Sequence, residues 1–174
     1  QASDELLFVW DEQLSRLAAA ITAKRFVVVK KLSMLANLMH RKITANKENL
    51  SVIYNYYKYG TGMPENYFEW YKKQLTDLKQ EDILRGSTGI GPHRDDLILL
   101  INGVNLRSYG SQGQQRTGII AMKLAELEFI KSETGEYPIL LLDDVLSELD
   151  SLRRDQLFSF IRDRIQTFIT TTDA

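Results

Sequence analysis

The chain has 174 residues, of which 44% are hydrophobic, 26% are charged and none is cysteine, and its formal net charge is −1. This composition supports one sizeable core, and the lack of cysteine excludes disulfides and cysteine-ligated metal sites. The near-zero charge excludes a globally basic nucleic-acid binder and the apolar runs are too short to span a bilayer, so we expect a cytoplasmic protein without membrane contact.

The first predicted element is one long helix over residues 4–42. No Gly or Pro interrupts it, and its apolar residues recur at helical spacing: Trp10, Leu14, Leu17, Ile21, Val28, Leu32, Leu35 and Met39. A continuous helix of this length would measure roughly 55–60 Å, which is typical of a protruding arm. Its basic residues are most simply a solvated face, with DNA contact as the alternative, and His40 is predicted to lie at the surface.

A short strand and turn and a second helix follow the arm. Residues 50–57 are rich in β-branched and aromatic side chains, and Pro64 is predicted to open a helix that runs to about Lys79. We therefore divide the chain into a helical arm with a small lobe, residues 1–85, and an α/β part, residues 86–174.

The α/β part opens with a predicted hairpin. A strand over residues 97–101 leads through the tight-turn pair Asn102-Gly103 to residues 104–107. An amphipathic helix is predicted from Gly113 to about Ser132, with Gly135 as its C-cap. A strand from Pro138, a helix over residues 153–164 and a strand over residues 167–171 complete the chain.

Residues 139–150, ILLLDDVLSELD, carry most of the functional information. An uninterrupted apolar run before Asp143 and Asp144 predicts a central parallel strand, buried on both faces, with carboxylates at its C-terminal end. Ligands bind at that end of open α/β sheets. Asp143 could hold a hard cation such as Mg²⁺, and Asp144 could orient or activate an attacking water. The alternative is a buried strand that merely ends in two acids.

A second candidate site lies upstream, where Gly110-Ser111-Gln112-Gly113-Gln114-Gln115-Arg116 precedes the amphipathic helix. Ser111 and Gly113 are predicted at the start of this helix, where unpaired backbone N–H groups and the helix dipole favour an anion. Taken alone, the same turn is also an ordinary helix cap.

Together these motifs resemble the RecF family of bacterial recombination mediators, a branch of the ABC- and SMC-like ATPases. S-Q-G-Q-Q-R is similar to the ABC signature LSGGQ, with Gln112 replacing its first glycine and Gly110 its leading apolar residue. LLLDD is similar to a Walker B strand and SELD to the D-loop. G-P-H-R-D-D at residues 91–96 and I-T-T-T-D at residues 169–173 narrow the resemblance to RecF.

The resemblance implies an α/β fold: the C-terminal part of an ABC-type ATPase head, with an α-rich second lobe that carries the long helical arm. No G-x-x-x-x-G-K-[ST] motif, the Walker A or P-loop motif, occurs in the chain. RecF-like proteins carry that motif in an N-terminal segment, so we expect a C-terminal fragment. ATPase activity is expected of the full-length family protein and not of this fragment alone, because the fragment lacks a Walker A motif.

The resemblance also implies a two-site sandwich, in which ATP bound to one subunit is covered by the signature of its partner. The residues implied to contact ATP in this way are Ser111, Gln112, Gly113 and Gln114. Asp143 would hold Mg²⁺, Asp144 would be the catalytic residue, and Ser147 and Asp150 would line the dimer seam. Many ABC proteins also have a histidine after the strand that follows Walker B, where this chain has threonines from Thr170 onward.

The implied biological task is DNA replication, recombination and repair within the SOS response. An ATP-dependent homodimer would bind DNA at single-strand/double-strand junctions and, with RecR and RecO, help to load recombinase at single-strand gaps. One alternative is a head fragment of another SMC-like chromosome-organising ATPase, which would need a longer coiled coil. Another is a non-catalytic interaction module. The role of His93 also stays open, between a metal ligand and a structural loop residue.

Overall fold

The computed structural model describes residues 2–55, 64–143 and 150–170, with side chains from residue 6 onward. In chain order the elements are α1 Ala2–Ile43, β1 Leu50–Asn55, α2 Tyr67–Arg85, β2 Asp96–Ile101, β3 Val104–Asn105, α3 Leu106–Tyr109, α4 Gln112–Thr134, β4 Leu140–Asp143, α5 Ser151–Ile161 and β5 Thr167–Thr170. This mixture of helix and sheet confirms the predicted α/β fold. The predicted turn at residues 60–62 lies outside the described residues.

The chain forms two compact units, Gln1–Val29 with Ile53–Leu97 and Lys30–Val52 with Ile98–Ala174. Each unit draws residues from both sides of residue 85. The division into lobes at that position therefore stays a prediction.

Helix α1 is continuous as predicted, and the predicted apolar stripe is buried only in part: Met39 is buried and Leu14 packs against the core of the first unit, but other members are exposed. Trp10 and Leu17 are 60% and 63% exposed, whereas Ser15, Ala18 and Thr22 are buried. Small side chains allow a neighbouring element to approach the helix backbone closely. In this part of α1, small residues therefore occupy buried positions beside Leu14, while two large apolar residues of the predicted stripe face solvent.

In the first unit, α2 packs its buried residues Tyr71 and Leu75 with Ala18 and Ile90. The hydroxyl groups of Tyr71 and Thr22 share a hydrogen bond of 2.8 Å, so this core satisfies its polar atoms internally. Burial raises the pKa of Tyr71 to about 12.

The start of α2 lies later than predicted, at Tyr67 instead of Pro64. The side chain of Asn66 accepts hydrogen bonds from the backbone amides of Phe68 and Glu69, so Asn66 is the N-cap. A side-chain cap that pairs two amides of the first turn fixes the helix start more strongly than a proline two residues earlier. The helix ends at Arg85, six residues later than predicted, and Gly86, with φ of 67°, is its C-cap.

The predicted hairpin is confirmed, although its second strand is short. Strands β1, β2 and β3 form a three-stranded sheet in that order, and β2 and β3 are antiparallel. Asn102 and Gly103 both have positive φ, 49° and 83°, as a type I′ turn requires. The side chain of Asn105 caps the one-turn helix α3, so β3 ends at this residue.

The second unit is centred on α4, which begins and ends within two residues of its predicted bounds. It terminates at Gly135, whose φ of 87° confirms the predicted C-cap. Its core-facing residues include Thr117, Ala121, Leu124, Ala125 and Leu127. Helix α5 begins at Ser151 and ends at Ile161, earlier at both ends than predicted.

Strands β4 and β5 are parallel, with α5 between them in the chain, and Asp143 pairs in register with Thr170. The prediction that the Walker B-like strand is buried on both faces is wrong for the described residues. Leu140 is buried, but Leu141 is 72% exposed and the preceding Ile139 is 57% exposed. Among the described strands only β5 pairs with β4, so within this part of the chain β4 lies in a two-stranded sheet and is not a central strand.

Candidate nucleotide-binding site

The predicted signature turn is the N-terminus of α4, and Ser111 is its N-cap. The Ser111 hydroxyl accepts a hydrogen bond from the Gln114 amide at 3.2 Å, and the Gln114 side chain accepts one from the Ser111 amide at 3.0 Å. This reciprocal pair is a capping box. The amides of Gln112 and Gly113 belong to the first helical turn, where N–H groups have no intrahelical partner and favour an anion.

Gly110 departs from the ABC signature for a steric reason. A Cβ added there would lie 2.5 Å from the carbonyl oxygen of Leu106 and 2.6 Å from its Cδ1. Leu106 is buried and its backbone belongs to α3, so neither atom can move away cheaply. The close approach of α3 therefore excludes the apolar residue that usually leads the signature.

Gly113 is different, because packing against the described residues does not require a glycine there. A Cβ on Gly113 would lie 3.9 Å from Nη1 and Nη2 of Arg153, which is ordinary van der Waals contact. Ser111 and Gln112 are exposed and Gly113 is half-buried. The predicted signature turn thus carries a hydroxyl, two backbone amides and a position without a Cβ at the start of α4.

Asp150 of the D-loop-like segment is the N-cap of α5. Its carboxylate accepts a hydrogen bond from the Arg153 backbone amide at 2.9 Å and forms an ion pair with the Arg153 guanidinium. The amide of Arg153, followed by its charge, holds the pKa of Asp150 below its ordinary value of 3.8. Arg153 therefore lies beside both candidate segments, the signature turn at Gly113 and the D-loop residue Asp150.

Asp143 lies at the C-terminal end of β4, where the sequence predicted it, and is exposed. Its Oδ1 accepts a hydrogen bond of 2.5 Å from the Thr170 hydroxyl at the end of β5. Sequence reasoning gave Thr170 no role beyond the missing histidine of that region. Asp144 and Ser147 lie outside the described residues, as do the threonines after Thr170.

The loop around His93 is held by carbonyl contacts. Arg25 of α1 donates to the Pro92 carbonyl oxygen, and Arg94 donates from Nε and Nη2 to the Thr88 carbonyl at 3.3 and 3.2 Å. His93 is exposed, and no group of three or more potential metal-ligating side chains occurs among the described residues. These contacts favour a structural loop.

The sequence missed one residue that contacts the signature turn. Glu48 accepts a hydrogen bond from the Gln114 side chain at 2.9 Å and contacts the ring of His40 at 3.1 Å. His40 is fully buried, so its predicted surface position is wrong. No local pattern reveals this pairing, because Glu48 and Gln114 are 66 residues apart in the chain.

Three features together indicate the class of protein. A parallel strand pair ends in a carboxylate, the helix between these strands is capped by an acidic residue, and a separate helix is capped by the serine of the signature-like turn. This is the C-terminal part of an ABC-type ATPase head. None of the described helices combines the length and the hydropathy needed to cross a membrane.

Comparison with known proteins identifies the member of this class. The chain is 49% identical over 172 residues to the DNA replication and repair protein RecF of Halothermothrix orenii, and 53% identical over 169 residues to that of Alkaliphilus oremlandii. These matches cover 97% and 94% of the chain but 46% and 45% of the relatives. The chain therefore belongs to the RecF family and spans about half the length of the curated relatives it matches.

Solved structures give the same result. The chain superposes on the recombination mediator protein RecF in the RecFOR pathway, in its ATP form with a TM-score of 0.81 and 37% identity and in its ATPrS form with 0.83 and 36%. Each match covers 98% of this chain and 46% of the other. No protein-family model matches the chain.

Proposed function

We propose that this chain supplies the signature face, the Walker B carboxylates and the D-loop of a RecF ATPase that dimerises around ATP during DNA recombination and repair. The observation that carries the proposal is the turn before α4. Its capping box pairs Ser111 with Gln114, while packing against the residues that the structure describes gives no reason for a glycine at position 113. A ligand or partner subunit that approaches this turn closely would explain why the residue is glycine.

In this mechanism the ATP-binding site of one subunit is completed by the signature turn of the other subunit. The Ser111 hydroxyl and the amides of Gln112 and Gly113 donate hydrogen bonds to phosphate oxygens, and the dipole of α4 adds a favourable field. The Gln114 side chain orients Ser111 through the capping box. Asp150 and Ser147 line the seam between the two subunits, with Asp150 kept ionised by Arg153.

The Walker B end of β4 fits a magnesium ion. Asp143 and Thr170 place a carboxylate and a hydroxyl oxygen at adjacent strand ends. Mg²⁺ prefers oxygen ligands and commonly takes one or two carboxylates besides phosphates and water, so a larger protein cage is not needed. Asp143 would hold the ion, whose charge would offset that of the phosphates. Asp144, the next residue, is the proposed catalytic residue that orients water for hydrolysis.

The names of the relatives support the wider role. We propose that the complete protein acts in the cytoplasm, binds DNA at single-strand/double-strand junctions, and works with RecR and RecO to load recombinase at single-strand gaps. Not every basic residue of α1 remains available for DNA. Arg25 donates to Pro92, and Lys31 forms an ion pair with Glu133 at 2.9 Å.

The test uses a chimera in which this chain replaces the matching 46% of the Halothermothrix orenii protein. Sedimentation with and without ATP measures dimerisation, and the chain alone is the control that should not respond to ATP. Gly113→Ala should leave stability unchanged or raise it by up to about 1 kcal/mol, because alanine is the better helix former. The same variant should weaken ATP-dependent dimerisation, because the added methyl occupies the contact surface.

The roles of the two carboxylates can be tested separately in the same chimera. Asp143→Asn should impair Mg²⁺-dependent ATP binding, whereas Asp144→Asn should retain binding, slow hydrolysis and prolong the dimer. Equal loss of binding in both variants would contradict the role given to Asp144. A chimera that never dimerises with ATP, and a Gly113→Ala variant that behaves like the parent, would favour an interaction module instead.

A further inference from the structure

A polar group outside the predicted site touches the signature turn. Glu48 lies in the segment between α1 and β1. Its Oε1 accepts a hydrogen bond from Gln114 Nε2 at 2.9 Å, and its Oε2 lies 3.1 Å from His40 Nε2. The two carboxylate oxygens therefore connect the last turn of α1 to the first turn of α4.

This group is largely removed from water. The His40 side chain is 0% exposed and that of Glu48 is 21% exposed. A buried carboxylate is costly unless donors satisfy it, and here each oxygen has a partner. Burial lowers the pKa of His40, against the opposing effect of its hydrogen bond to Glu48. A neutral ring can donate its single N–H from Nε2 to the carboxylate.

Gln114 takes part in two contacts that demand the same orientation of its amide. The oxygen accepts from the Ser111 amide, and the nitrogen donates to Glu48. A carboxylate can only accept, so rotating the Gln114 amide by half a turn would break both hydrogen bonds. The carboxylate thus selects the orientation that closes the capping box.

We infer that Glu48 is a positioning residue of the signature turn, supported by His40: it holds Gln114 in the orientation that keeps Ser111 in place. The consequence for ATP rests on the proposed function, in which Ser111 reaches the nucleotide of a second subunit. The local geometry at Ser111 can be measured without ATP.

The test exchanges donor and acceptor. Gln114→Glu keeps an oxygen for the Ser111 amide but sets a second carboxylate against Glu48. Glu48→Gln alone can still accept from Gln114 and serves as the matched control. The double variant Glu48→Gln/Gln114→Glu restores one donor and one acceptor in reversed order, and its glutamine oxygen can still accept from His40.

Two readouts are needed. Hydrogen–deuterium exchange of the Ser111 amide in the chain, relative to amides within α5, reports the local geometry separately from global unfolding. ATP-dependent dimerisation of the chimera reports the functional consequence. Gln114→Glu should speed Ser111 exchange and weaken dimerisation, each by about tenfold or more, as expected for the loss of a charge-assisted hydrogen bond. Glu48→Gln should change either by less than about threefold, and the double variant should recover most of both losses.

The outcomes distinguish the two proposals. An exchange rate at Ser111 that Gln114→Glu does not change, or a double variant no better than Gln114→Glu, would overturn the positioning role. Exchange that follows the expected series without any change in dimerisation would support the positioning role and count against the ATP sandwich. His40→Phe, which keeps a ring but has no N–H, should also speed Ser111 exchange; an unchanged rate would remove His40 from this role.

Discussion

Substitutions of Ser111 can separate its two roles, because the structure makes it a helix cap and the proposed function makes it a phosphate contact. Ser111→Ala removes the hydroxyl that accepts from the Gln114 amide. Ser111→Asn and Ser111→Asp each retain a side-chain oxygen suited to the N-cap position. Only Ser111→Asp adds a negative charge where a phosphate would approach.

The expected magnitudes differ by role. Losing the cap should lower the free energy of unfolding by about 1 kcal/mol in Ser111→Ala, whereas Ser111→Asn and Ser111→Asp should stay within about 0.5 kcal/mol of the parent. Like charges about 4 Å apart repel by about 1 kcal/mol in water and about 4 kcal/mol near a protein surface. Ser111→Asp should therefore weaken ATP-dependent dimerisation by roughly fivefold to nearly a thousandfold per site.

Urea denaturation of the chain measures the cap, and sedimentation of the chimera with ATP measures the contact. We expect the Ser111→Asp variant to be stable but not to dimerise, and the Ser111→Asn variant to dimerise nearly normally. If Ser111→Asp dimerised like the parent, no phosphate would approach this residue and its role would be that of a helix cap. Equal destabilisation by all three substitutions would refute the capping geometry.

Three further predictions concern the fold around the site. Gly110→Leu, which restores the apolar residue of the ABC signature, should cost about 1–3 kcal/mol of stability because its Cβ would meet the Leu106 carbonyl; an unchanged urea midpoint would refute the clash. Since burial lowers the pKa of His40 from 6.5, the fold favours the neutral ring, so this contribution is complete above about pH 6.5 and is lost as the pH falls below it. The melting temperature should therefore fall between pH 7 and pH 5.5, and fall less in His40→Phe; equal slopes would contradict the assignment. Tyr71→Phe should cost about 0.5–1.5 kcal/mol at pH 7 through the lost hydrogen bond to Thr22. Because the pKa of Tyr71 is raised to about 12, the neutral phenol stabilises the fold fully below about pH 10 and less as the pH rises toward 12, so the cost of Tyr71→Phe should shrink over that range.

The sequence alone determined the features that depend on neighbouring residues. The apolar run before Asp143 predicted a parallel strand. A serine followed three residues later by a glutamine, Ser111 and Gln114, is the sequence pattern of the capping box that starts α4. Gly135 ended that helix as predicted, and Asn102-Gly103 formed the tight turn. These elements were predictable because a cap, a turn or a strand is decided by side chains within a few residues.

The tertiary structure alone decided which faces and which distant residues meet. Helix α1 buries Ser15 and Thr22 and exposes Trp10, because close packing of the helix backbone favours small residues there. Hydropathy cannot reveal that choice. The contact between Glu48 and Gln114 depends on bringing the end of α1 to the start of α4, and neither residue has a local sequence pattern that requires a partner. A hydrogen bond across 66 residues is specified by how the elements pack, so only the folded chain shows that the signature turn contacts a half-buried carboxylate.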